Sequence, residues 1–191
     1  MVSNAELKQE LDAFIRDYKK NSGKDNVTYK EIIKQKLINN QKLLYLLNNH
    51  DLDIEESAED FIGTSIYPYY LLPQAQEEVK NYICFETGFT EVKKYNEIMK
   101  LGQVTFYIMC DVKTVHTEFG SARHDLIAAL IDDEFSWGNE FGTRMKLVDD
   151  QPRAIDNNYV SRILVFEQTT TNSIVSNQQV INQTRLKGSI T

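Results

Sequence analysis

Residues 103–113, QVTFYIMCDVK, put Val104, Phe106, Ile108, Cys110 and Val112 on one side of the backbone and Thr105, Tyr107, Met109, Asp111 and Lys113 on the other. A period of two marks a strand with one face on a core. It obliges the chain to build a sheet and to lay something apolar against it. Residues 81–89, NYICFETGF, are mostly strand formers and supply a neighbour. Two more strands are expected around 143–149 (TRMKLVD) and 159–168 (YVSRILVFEQ), with a loop from Asp149 to Asn158 between them. Ahead of them Ser121 is placed to cap a helix with the stripe Leu126, Ile127, Leu130, Ile131 and Phe135, stopped at Trp137-Gly138-Asn139. The order is β-β-α-β-β: an α+β class with a small sheet-and-helix core.

The residues before this core read as helical. Leu7, Leu11, Phe14, Ile15 and Tyr18 recur at spacings of three and four, one face of an amphipathic helix that closes at Gly23. A second helix is expected with Thr28 as N-cap and Glu31 completing a capping box. Its apolar positions run from Ile32 to Leu47, and Ile38-Asn39-Asn40-Gln41 divides it into two. An acidic connector at 51–64 has room for one helical turn. The aromatic stretch that follows holds prolines at 68 and 73, which forbid a long regular element and make it an extended strap. Tyr67, Tyr69, Tyr70, Leu71 and Leu72 are too apolar to face water and are expected to pack on this chain or on a second copy. Three regions result: a helical N-terminal region over 1–60, the α/β core over 61–170, and a polar C-terminal arm over 171–191.

That arm has no aromatic and no acid, and its charges are Arg185 and Lys187. It cannot bury enough surface to fold alone, so it is expected to order only in an assembly. The full chain carries −7, so the arm at +2 leaves −9 on residues 1–170. A body this acidic lacks the electrostatic footprint of a nucleic-acid binder. No run approaches the ~20 apolar residues of a membrane span. Cys84 and Cys110 sit inside apolar strands and read as buried free thiols of a protein in a reducing compartment.

A search for chemistry gives little. His50, His116 and His124 lack ligand spacing, Ser136 is in no nucleophile elbow, and there is neither a phosphate loop nor a dinucleotide fingerprint. Asp132, Asp133 and Glu134 gather at a helix end where the dipole disfavours anions. Glu91-x-Lys93 matches part of a Mg²⁺-nuclease pattern, in which carboxylates hold the ion while lysine steadies the water. The upstream aspartate such a site needs is missing. No enzyme, metal or cofactor is therefore expected, and the nuclease stands as the alternative of another class beside a small single-partner regulator.

Three stretches carry a resemblance. They are Ile66-Tyr67-Pro68-Tyr69-Tyr70 with Tyr82-Ile83-Cys84-Phe85; residues 116–135, HTEFGSARHDLIAALIDDEF; and residues 141–148, FGTRMKLV, with 159–166, YVSRILVF. Together they look like neck proteins of tailed bacteriophages, most similar to tail-terminator or head-completion proteins, over about residues 60–170. The resemblance implies a non-enzymatic virion protein, assembled in the host cytoplasm. It would form a ring, commonly a hexamer, that caps the tail tube and meets connector and tail-tube or sheath proteins while DNA passes through. On that reading the strap packs at a subunit seam, and Arg144, Lys146 and Arg162 pair with a neighbour's acids.

Overall fold

A computed structural model describes residues 4–22, 26–49, 51–71, 80–91, 99–139, 141, 143–155 and 157–171. Helix α1 (Asn4–Ser22) is followed by α2 (Asn26–Asn39) and the short α3 (Gln41–Leu47). The break between α2 and α3 falls at Asn40, whose side chain accepts a bond from the Leu43 N–H at 3.1 Å and so starts a new helix rather than continuing the old one. Asn48 ends α3 in the left-handed conformation that asparagine tolerates. The connector holds one tight helical turn, Ala58–Phe61.

Five strands form one sheet in the order β1-β2-β3-β5-β4. They are β1 (Ile66–Tyr67), β2 (Tyr82–Glu91), β3 (Met99–Asp111), β4 (Lys146–Ala154) and β5 (Tyr159–Thr171), with α4 (Arg123–Phe135) between β3 and β4. The strap supplies β1, which pairs parallel to β2, and the other pairs are antiparallel. The fold is α+β: the expected β-β-α-β-β order follows the helical segments, preceded by the short additional strand β1.

The alternation in β3 sorts the two faces as its sequence predicts from Val104 to Cys110, whereas Val112, expected on the core face, lies past the strand end at Asp111 and is exposed. Val104, Phe106, Ile108 and Cys110 are buried under α2, α3 and α4 with Phe85, Phe135 and Phe166. Phe106 sits among those three rings, at centroid distances of 6.1, 5.1 and 5.7 Å. Tyr29, Ile33 and Leu37 of α2 and Leu43, Leu44 and Leu47 of α3 join the same cluster, so the core reaches back well before residue 61. On the opposite face Tyr82, Cys84, Met109 and Tyr159 make a second, smaller cluster. Gly102 is where Phe89 and Gln168 close in: a Cβ there would meet the Phe89 ring at 3.2 Å and the Gln168 side chain at 3.3 Å.

Two helix starts differ from the sequence expectation. Helix α2 begins at Asn26, so Thr28 lies inside its first turn with a buried hydroxyl that finds no partner among the described residues, and Glu31 turns forward to Lys34 at 2.6 Å. Ahead of α4 the cap is Ala122, which has no side chain to offer; the Ser121 carbonyl instead accepts from the Thr117 hydroxyl at 2.7 Å. The third difference is β4, which runs on through Ala154 where a loop was expected. Most of its side chains from Gln151 on face solvent, so no apolar alternation marks them, and Pro152 is tolerated because β4 is an edge strand.

Candidate functional site

Helices α3 and α4 pack side by side because Arg123 ties them together. Its Nη1 donates to the Leu46 carbonyl and its Nε to the Thr114 carbonyl, both at 2.7 Å, so the end of α3 and the start of α4 are fixed against each other. Leu43, Leu44 and Leu47 face the core from α3, as do Ile127, Ile131 and Phe135 from α4. The outward flanks of the two helices are left with Tyr45, Leu46, Leu126 and Leu130. Together with Ile54 and Phe119 these line an open, mainly apolar groove of about 870 Å³. Tyr45 and Phe119 remain 55% and 59% exposed at its mouth, large apolar side chains that the monomer leaves wet. The Tyr45 hydroxyl donates to Glu118 at 3.0 Å, and this bond to a carboxylate raises its pKa.

The strap is held by its own sheet. Tyr67 and Leu71 pack on the smaller cluster, and Tyr70 meets the Tyr107 ring edge-on at 4.6 Å. The Tyr70 N–H donates to Glu86 at 3.0 Å, and Lys30 reaches the other Glu86 oxygen at 2.9 Å and the Pro68 carbonyl. Tyr69 and Tyr70 keep about half their surface in water, whereas Leu72 lies outside the described residues. Of the three cations expected on the later strands, Arg144, just ahead of β4, and Lys146 are exposed. Arg162 is engaged within the chain: Nε and Nη2 grip Asp150 at 2.6 and 2.9 Å, and Nη1 bonds Asp125 in the first turn of α4. Those bonds raise its pKa and leave the fork no free edge for a neighbour. Arg185 and Lys187 lie outside the described residues.

Glu91 closes β2, its side chain is not described, and Lys93 lies outside the described residues. Among the described residues no group of three or more His, Cys, Asp or Glu side chains is placed to hold a metal ion. Cys84 and Cys110 are free and buried, on opposite faces of the sheet, and burial pushes their thiols up to about 11 and about 12. Both are thus thiols and not thiolates at neutral pH. None of the described helices is long and apolar enough to cross a membrane.

His124 sits beside the Arg162 cluster with Nδ1 buried and without a partner among the described residues, and Nε2 3.3 Å from Asp125. Burial lowers its pKa below 6.5, Asp125 opposes that, and Arg162 adds to it. The unfolded chain takes up a proton near pH 6.5 and the folded chain resists. Stability from this residue is therefore complete above about pH 6.5 and declines as pH falls toward the folded value. A His124→Leu variant is expected to lose less of its melting temperature than the wild type between pH 7 and pH 5. Equal losses would show that the imidazole is not held neutral.

An α+β protein with its sheet covered by helices on one face and by a short tyrosine strap on the other defines a class, and a family comparison narrows it. The family model described as YomW matches residues 40–168, more than half of the chain, from the α2–α3 break to the end of the buried stretch of β5. The chain belongs to the YomW family, a phage-derived family, and is a phage-associated protein. No curated protein matches it.

Proposed function

We propose that this chain is a structural protein of a tailed phage that forms a ring at the head–tail junction and terminates the tail tube. The observation that carries the reading is apolar surface turned outward on a member of a phage-derived family. Leu7, Leu11 and Phe14 of α1 are more than half exposed, Tyr45 and Phe119 flank an open groove, and Trp137 is exposed at a positive φ of 63°. A bulky residue in that backbone region is strained. Exposed patches of this kind mark surfaces that association buries. The body's −9 charge suits a ring wall along which DNA slides without sticking. The polar C-terminal arm, with Arg185 and Lys187, would reach a neighbouring ring or sheath protein.

Mass spectrometry of purified virions, joined to electron microscopy of particles made without this protein, tests the reading. The expected result is a few copies per virion, and without it filled heads lying apart from tails whose head-proximal ends are unfinished. Finished tails beside heads that leak DNA would assign the chain to head completion or the connector instead. Absence from virions would overturn the structural role.

A further inference from the structure

The groove and the α1 stripe are opposite halves of one joint. We propose that the apolar face of α1 from one copy lies in the α3–α4 groove of the next copy. This deepens the ring reading and rests on it.

Every described side chain of α1, from Ala5 to Arg16, is exposed, so the helix is not held by its own groove. Its stripe Leu7, Leu11, Phe14, Ile15 follows the i, i+4, i+7, i+8 spacing by which a helix docks into an apolar cleft. At 1.5 Å per residue that stripe is about 12 Å long, and the groove wall from Leu126 to Asp133 is about 10 Å. The charges match as well. At 100° per residue Lys8 borders the stripe on one edge and Glu10 on the other. The groove has exposed Asp133 on its α4 rim and exposed Lys42 on its α3 rim. Neither makes an ion pair within the described residues. Asp133, moreover, stands in the last turn of α4, where the helix dipole disfavours an anion and a cation from outside is favourable. With Lys8 over Asp133 and Glu10 over Lys42, α1 enters in a single orientation. Helix into groove is a head-to-tail contact, the kind that closes into rings.

Leu11→Asp spoils the helix, and Ala129→Glu, on the exposed face of α4 inside the groove, fills the cleft. Both sites are exposed, so far-ultraviolet circular dichroism should match the wild type, and melting temperatures should match at dilutions where the wild type too is monomeric, because assembly stabilises the fold. Native mass spectrometry of the full chain is expected to show a ring-sized wild-type oligomer and each variant alone as a monomer. The two variants mixed should give a two-chain complex and nothing larger, because the intact helix of A129E enters the open groove of L11D and no further joint is possible. A wild-type oligomer that neither variant dissolves, or variants that stay monomeric when mixed, would overturn the helix passage and leave the ring standing. A wild-type chain that is monomeric at every concentration would overturn both.

Discussion

Phe106→Ala is expected to lower the free energy of unfolding by about 3–5 kcal/mol, as emptying an aromatic site in a packed core does. Phe106 is fully buried and is the one ring that touches Phe85, Phe135 and Phe166 in common, so it joins β2, α4 and β5 through a single side chain. Domains have only ~5–15 kcal/mol to lose, so this change removes a large fraction of the total. With a urea dependence of roughly 2 kcal/mol per molar, the denaturation midpoint should fall by about 2 M. Tyr69→Ala on the exposed part of the strap is the control and should move the midpoint little. A loss below about 1 kcal/mol at Phe106 would mean that α4 does not press on β3 as described.

Asn81→Ala should cost nearly as much through a different mechanism. The Asn81 side chain is buried just before β2 and satisfies groups from three places. Its amide donates to the Leu47 carbonyl at 3.1 Å, and its oxygen accepts from the Asp111 N–H at 3.2 Å and the Thr114 hydroxyl at 2.9 Å. Truncation leaves the Leu47 carbonyl and the Asp111 amide without those partners, and each orphaned buried group costs about 1–3 kcal/mol. The sum is on the order of 2–6 kcal/mol, read by denaturant unfolding. Because the damage is local, hydrogen exchange should also quicken at the Asp111 amide more than at the mid-strand Phe106 amide. Uniform exchange would mean that Asn81 fills space and no more.

These two residues show what the amino-acid order reveals and what it hides. Phe106 belongs to a run whose alternation names both faces of β3, since the pleat repeats every two residues and the core selects every second one. The α2–α3 break was legible in Asn39-Asn40 for a similar reason: a local side-chain bond decides it. Asn81 carries no such signal, because a single buried amide satisfies partners 30 to 34 residues away and nothing periodic surrounds it. The later part of β4 was missed because an edge strand that buries few side chains has no pattern to read. At the candidate site, the stripe of α1 and the stripes of α3 and α4 were each visible. The groove was not, because it lies on the flanks beside those stripes, and its walls are about 80 residues apart in sequence. Arg162 looked like a free surface cation, and only the approach of Asp125 and Asp150 shows that its fork is occupied.

The outer strand β4 has a further consequence. It steps out of register between Leu147 and Asp149, and Pro152 offers no N–H. An edge so interrupted is a poor template for another strand. The bulge and the proline work against copies of this chain zipping their sheets together along β4. Contacts there depend on side chains, which one reversed charge can dissolve and which separate without either partner losing a backbone ladder. An edge of this kind guards a chain against edge-to-edge aggregation at high concentration.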